Sequence, residues 1–417
     1  MRDAVVIGAG LAGLAAAIRL ARGGARVTLV TKGIGGLQLG QGTIDILGYS
    51  GDRRIEHPLD AIGDHVASRP THPYAHFSPE EIAAAASWIA DLLGPDLLVG
   101  DPARNVLLPT AVGALRPTAV YQPSMAAGIP AAGRDYAIVG LERLKDFYPA
   151  LVAENLSMQQ GPDAAPIRAR ALSLDLEIRP GEADTTSTNH ARALDDPAQR
   201  QRLVDALAPL LRDGEIVGLP GVLGLDDTGA WRDIARRLGH EVFEIPLQPP
   251  SIPGMRLNRA LTALVKKDCR FILGSAVAGF SSRDGRIVSV DISTAGRTTT
   301  IETATVVLAG GGFESGALDM DSHGTVSDTI LGLPVLGAQG QLLHGDFWGA
   351  EQPLFLAGLA VDRAMRPVDA AGAPVYANVY AAGANLTGST RWREKSGEGI
   401  ALASALRAAD DILGRIA

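Results

Sequence analysis

V5-V-I-G-A-G-L-A-G-L14 is the stretch from which the rest of the chain is read. Val5, Val6 and Ile7 form a run apolar on both faces, as a strand in the middle of a parallel sheet requires. Gly8, Gly10 and Gly13 follow in the spacing G-x-G-x-x-G. In that spacing the first glycine permits a tight turn, the second lets a pyrophosphate approach the backbone, and the third lets helix and strand pack closely. A helix over 11–22 presents free N–H groups at Leu11 and Ala12, and its positive dipole end, to phosphate oxygens. Its alanines let it lie close to the sheet. A second strand over 25–31 completes the unit, and the whole predicts a dinucleotide site.

The second strand then breaks the usual pattern. V27-T-L-V-T-K-G33 ends on Thr31-Lys32, where an Asp or Glu commonly holds the adenosine ribose. Lysine has no acceptor to offer a hydroxyl. Thr31 can hydrogen-bond a ribose; Lys32 either reaches a phosphate or is a solvated surface side chain.

The bulk numbers exclude several classes. A chain of 417 residues, 46% hydrophobic and 20% charged, can bury one large core or two medium ones. A net charge of −8 argues against nucleic acid or anionic lipid as a partner. No apolar run reaches about eighteen residues, so no direct membrane span is expected. The opening M1-R-D-A-V-V-I-G enters a strand at once, which predicts a cytoplasmic chain without a secretory leader. Cys269 is the only cysteine, so an internal disulfide and a four-thiolate iron–sulfur cluster are excluded. Electrons handled here must therefore leave to another protein or a diffusible acceptor. His72 and His76 have helical spacing, but Pro73 lies between them, and no metal site is expected.

Further along, Ser78-Pro79-Glu80-Glu81 starts a helix over 79–94, and two short strands flank a glycine turn within 105–122. Strands near 136–140, 171–178, 215–219 and 241–246 alternate with helices near 142–156, 197–212 and 230–238. That alternation predicts a second, smaller α/β unit with a largely parallel sheet. The polar run 179–190 reads as a surface loop. Strands over 270–279 and 286–294 flank a hairpin turn at Ser282–Gly285. T303-A-T-V-V-L-A-G-G-G-F313 is a buried strand stopping in glycines; a strand at 375–381 precedes a final helix over 397–415. Because the first glycine turn is so far from the strand near 306, the sheet must be completed by distant parts of the chain. That suits a flavin fold better than a nicotinamide domain.

V5-V-I-G-A-G-L-A-G-L14, T305-V-V-L-A-G-G-G-F313 and Y380-A-A-G-A-N385 resemble the succinate dehydrogenase/fumarate reductase class of flavoproteins. More narrowly, Q41-G-T-I-D-I-L47, H72-P-Y74, Q248-P-P-S-I-P-G-M-R-L257, I330-L-G-L-P-V-L336, G345-D-F-W348 and R366-P367 resemble the family of anaerobic glycerol-3-phosphate dehydrogenase B subunits. These stretches run in order from end to end. The resemblance implies an α/β fold, with a Rossmann-like flavin-binding domain built from 1–104, 247–318 and 372–417. An inserted smaller α/β domain would occupy 105–246, and a cap or substrate-side segment 319–371. It implies oxidation of sn-glycerol 3-phosphate to dihydroxyacetone phosphate in anaerobic respiration, at the inner face of the cell membrane. The partners implied are a companion flavoprotein subunit and a membrane-associated iron–sulfur subunit that passes electrons to quinone.

The flavin site implied by that class gathers Gly8, Gly10, Leu11, Ala12, Gly13, Thr31, Lys32, Gly42, Thr43, Gly310, Gly383, Asn385, Gly399 and Ile400. The glycine spacing favours FAD, whereas the B-subunit family is generally described as binding FMN. The class usually places an acid after A-G to hold the ribityl chain; here Ala384 and Asn385 stand there. The helix opening at S396-G-E-G would aim N–H groups at the pyrimidine end of the flavin. No histidine lies between Gly33 and Asp45, where related enzymes tether flavin, so the flavin is expected to be non-covalent. For a small phosphorylated substrate, His344 is the candidate base, and Arg256, Arg391 and Arg393 are the candidate phosphate ligands. Two alternatives stay open: a stand-alone flavin dehydrogenase of another small substrate, and an assembly or electron-transfer subunit without its own substrate site.

Overall fold

The computed structural model describes residues 1–161, 166–346 and 349–416; Phe347 and Trp348 of the G345-D-F-W348 stretch lie outside them. Contacts divide the chain into two units. One comprises 1–36, 45–89 and 260–417, and the other 37–44 and 90–259.

The first unit is organised by a five-stranded parallel sheet. Its strands are β1 (Ala4–Ile7), β2 (Val27–Thr31), β3 (Arg270–Leu273), β4 (Val306–Leu308) and β5 (Val379–Ala381), in spatial order β3-β2-β1-β4-β5. Every β1 residue is buried, and Val5 faces Thr28 on one side and Val306 on the other. This order reverses direction at β1, the topological switch point outside whose carboxyl edge such sheets bind ligands. Between β1 and β2 runs α1 (Leu11–Arg22), with Leu14, Ile18 and Leu20 at 0% exposure. Each such side chain contributes roughly 1.5–3 kcal/mol by leaving water. The final helix, Gly397–Ile416, packs along α1, and Gly23 abuts Leu413 so closely that a Cβ would meet it at 2.5 Å.

The second unit holds a parallel sheet ordered Arg168–Leu174, Asp135–Leu141, Ile216–Pro220 and Val242–Ile245. Helices Pro149–Ser157, Pro197–Leu207 and Ala230–Leu238 alternate with these strands around one core that includes Ile138, Leu203, Val217 and Phe243.

Several expectations are corrected. The strand expected over 270–279 breaks at Gly274 (φ +76) into β3 and the antiparallel strand Ala276–Arg283, and a third strand, Arg297–Glu302, joins that antiparallel sheet. Within the polar run 179–190, Thr186 caps a short helix, Ser187–Ala193, and His190 is fully buried on Thr185. Helix Pro58–Ser68 has no counterpart among the elements expected from sequence. The unit boundaries also differ from the expected domains, since 90–104 and 247–259 group with the second unit and 319–371 with the first. The reason is visible at Leu247 and Ile252, whose side chains belong to the second unit's core.

Candidate cofactor site

At the carboxyl edge of the first unit's sheet, three glycine-bearing turns converge. Gly8 leaves β1 at φ +107, and a Cβ there would lie 2.1 Å from the Ala309 carbonyl oxygen, just past β4. Gly13 presses on the Gly8 carbonyl, where a Cβ would come within 2.0 Å. Gly383, past β5, has φ +84 and would press a Cβ to 2.9 Å from that of Ala12. The Gly383 N–H donates to Ser404 Oγ of the final helix at 3.0 Å. Gly310 lies under Ile330, at 2.6 Å from a Cβ placed there. Thus Gly8, Ala12, Gly13, Gly310 and Gly383 lie together in one crease.

Gly10 behaves differently from its neighbours, because a Cβ there would meet nothing within 4 Å. No side chain caps α1, and the first N–H groups of a helix have no intrahelical acceptor. Open space at Gly10 and the N–H groups that open α1 at Leu11 and Ala12 fit a phosphate. Asn385 adds a second indication. Its Nδ2 donates to the Leu308 carbonyl at 2.9 Å, while its Oδ1 is buried without a partner among the described residues. A buried acceptor left unanswered is costly, and a ligand hydroxyl or N–H would satisfy it. Thr31 donates its hydroxyl proton to the Gly33 carbonyl at 2.6 Å, so its oxygen remains an acceptor suited to a ribose; Lys32 is exposed. These residues fit FAD. The fingerprint missed Gly35, whose φ of +82 brings it against the Ala9 carbonyl, 2.0 Å from a Cβ. Only its place in a glycine-rich run hinted at that.

Other candidates sit elsewhere or are already engaged. Gly42 and Thr43 belong to the second unit, where Gln122 donates to the Gly42 carbonyl at 3.2 Å and Arg116 to Thr43 Oγ1 at 3.1 Å. Gly399 donates its N–H to the Asp45 carbonyl at 2.9 Å, and Ile400, fully buried, to Ser396 at 3.0 Å. Those two N–H groups are therefore committed within the chain. Arg256 departs furthest from its expected role. It is buried in the second unit, bonded to both oxygens of Glu244 at 2.6 and 2.9 Å, to Gln122, and to the carbonyls of Leu223 and Gly224. A guanidinium so fully used has nothing left for a phosphate.

His344 is held by Gln352, which bonds its ring and its backbone, and faces the Glu351 carbonyl at 3.4 Å. Arg391 lies at the crease, donating to the Ala384 carbonyl at 2.6 Å and to Glu314 at 3.1 Å. Arg393 reaches the Gly349 carbonyl at 3.3 Å. His344 and Arg391 are thus each engaged by different partners within the chain.

Residues 3–400 match the family described as "FAD binding domain". Fold and site together define the class: a flavoprotein whose α/β FAD-binding fold is assembled from distant chain segments. The B subunit of an anaerobic glycerol-3-phosphate dehydrogenase from Yersinia pseudotuberculosis is 32% identical, over 100% of this chain and 99% of that one. A probable B subunit of the same kind from Halobacterium salinarum is also 32% identical, over 96% and 95%. The chain belongs to the family of anaerobic glycerol-3-phosphate dehydrogenase B subunits, which are flavin-dependent dehydrogenase subunits. Among solved structures, a 3-ketosteroid delta1-dehydrogenase from Sterolibacterium denitrificans covers 99% of both chains at 11% identity and a TM-score of 0.45; at that distance it carries no argument about chemistry. No helix among the described residues is long and apolar enough to cross a membrane.

Proposed function

We propose that the chain is the flavoprotein subunit of a glycerol-3-phosphate:quinone oxidoreductase in anaerobic respiration, oxidising sn-glycerol 3-phosphate to dihydroxyacetone phosphate. The observation that carries this reading is full-length identity of 32% to relatives so named. FAD, when bound, would supply the two-electron acceptor that alcohol oxidation requires. The chain's own part is to seat the pyrophosphate at Gly10–Ala12, the ribose at Thr31, and a hydroxyl or N–H at Asn385 Oδ1. A single cysteine cannot hold a cluster, so an iron–sulfur partner would carry the electrons onward. That partner and a companion flavoprotein subunit would hold the chain at the inner face of the membrane.

A second reading has a specific observation behind it. Arg256 is consumed by Glu244 and His344 by Gln352, which favours an electron-transfer subunit whose companion carries the substrate site. One experiment separates the two. The full chain is purified alone and with co-expressed partners, its flavin is released and identified by mass, and sn-glycerol 3-phosphate is added anaerobically. Bleaching of FAD in the isolated chain supports the first reading. FAD that bleaches only in the complex supports the second, a chain that carries no flavin sinks both, and bound FMN overturns the pyrophosphate seat at Gly10–Ala12.

A further inference from the structure

H72-P-Y74 is a motif to which the cofactor crease assigns no role, yet it lies at the centre of a buried polar network in the first unit. Glu394, 2% exposed, accepts from Arg69 Nη1 at 2.5 Å, His72 Nε2 at 3.1 Å, the Thr390 N–H at 3.2 Å, and Ser396 Oγ at 3.0 Å. His72 Nδ1 accepts the Tyr74 N–H at 3.1 Å. The ring proton is thereby assigned to Nε2 and donated to Glu394. His65, 1% exposed, lies edge-on to His72 with its Nε2 3.8 Å from Glu394. His65, His72 and Glu394 bring three ligand-type atoms within 4.8 Å of one another. That tautomer leaves no lone pair at His72 Nε2, and Arg69 already neutralises the carboxylate, so the cluster is built as a hydrogen-bond hub and not as a cation site.

What the hub holds is informative. Tyr74, fully buried, donates its hydroxyl to the Ile46 carbonyl at 2.7 Å and reaches the Ser396 carbonyl at 3.4 Å. Gly48 donates its N–H to the Glu394 carbonyl at 2.8 Å, and Gly399 to that of Asp45 at 2.9 Å. A Cβ on Gly399 would lie 2.1 Å from the Tyr74 hydroxyl, so the first turn of the final helix rests directly on the tyrosine. Gly388 (φ +91) leaves just as little room against the Thr71 carbonyl, at 2.2 Å. One side of the network therefore ties 45–48, and the other ties 388–399, which leads out of the turn holding Gly383 and Asn385.

We propose that Tyr74, His72 and Glu394 are positioning residues for the FAD site, acting through the stretch that leads out of the turn holding Gly383 and Asn385. They fix the 45–48 segment against the first turn of the final helix, and with it the far end of the stretch that leaves Asn385, whose Oδ1 the proposed function gives to FAD; the inference rests on that function. A hub of this kind limits how far the two stretches can separate, and so pre-organises the site before the flavin arrives. Burial keeps the Tyr74 phenol well above its ordinary pKa, so it stays a donor.

The test uses the full chain carrying Tyr74→Phe, Glu394→Gln or Ser396→Ala. FAD affinity, the visible band of bound flavin and its reduction potential are measured, alongside melting of the flavin-free protein. Tyr74→Phe and Glu394→Gln weaken FAD binding by about tenfold or more, the equivalent of one lost hydrogen bond, and shift the band and potential. Ser396→Ala, which drops one bond to Glu394, moves them the same way to a smaller extent and decides the matter if the larger changes prevent folding. Variants that melt earlier but bind FAD with unchanged affinity, spectrum and potential overturn the positioning role alone. A wild-type chain that takes up no FAD overturns the flavin reading and this proposal with it.

Discussion

Gly8 and Gly10 share a side chain and face opposite constraints. At Gly8 the backbone is left-handed and the neighbouring carbonyl is 2.1 Å from where a Cβ would sit, so Gly8→Ala strains the fold itself. At Gly10 the protein leaves the space open. Gly10→Val is therefore expected to keep the wild-type melting temperature without FAD while binding FAD at least about tenfold more weakly. Melting curves and a flavin titration check this; a valine variant with wild-type FAD affinity would falsify the phosphate role of this turn. Arg256 gives the contrary case. Arg256→Ala leaves Glu244 buried and uncompensated, which costs about 3–5 kcal/mol, and denaturant unfolding should show it. Apolar replacement of both partners should recover much of that loss, an outcome not expected of a substrate ligand.

At the level of elements, the final helix is tied to the glycine turn after β5 by one hydroxyl. Ser404 accepts from Gly383 N–H at 3.0 Å and donates to Ile400 at 2.6 Å. Ser404→Ala strands a buried N–H, so a loss of about 1–3 kcal/mol is expected in urea unfolding, together with weaker FAD binding. Elements with strong local grammar were legible from sequence. β1 and α1 appear where the apolar run and the glycine spacing put them. The helix expected to start at Ser78 also forms: Glu81 N–H bonds the Ser78 cap at 3.3 Å, and the structure adds a return bond from Ser78 N–H to Glu81 at 2.8 Å. What failed was whatever depends on distant partners. The helix at Ser187–Ala193 is polar in sequence and is held by burial of His190; the break at Gly274 shows only when β3 joins β2. Within the site, the glycine turn could be read because its residues are neighbours in sequence. Gly35, Tyr74 and Glu394 could not, because each acquires its role from residues many positions away. Arg256 misled because a sequence displays its charge but not its pairing with the Glu244 carboxylate that absorbs it.

Across the whole molecule, each unit carries a buried histidine with a depressed pKa. Burial drives His65 in the first unit and His190 in the second down to about 4. An unfolded chain takes up these protons below about pH 6.5, whereas the folded one resists until about 4. Stability is therefore fully present above pH 6.5 and is lost as pH falls from there toward 4. The slope is about 1.4 kcal/mol per pH unit for each group at most. Denaturant midpoints measured across that window should fall steadily, and His65→Leu should flatten the part belonging to the first unit; a curve unchanged by that substitution would reject the assignment. The sheet order has a consequence for how the chain is made. β1 lies between partners that begin at residues 27 and 306, and β5 closes the edge only at 379–381. As the ribosome extends the chain, residues 90–259 emerge as an almost continuous block able to collapse early. The amino-terminal strands meanwhile wait with bare edges until β3 and β4 have been translated, and the outer edge of β4 stays bare until β5 follows. Nascent chains stalled before residue 379 are thus clients for chaperones, and premature termination there should yield aggregates in place of a smaller working protein.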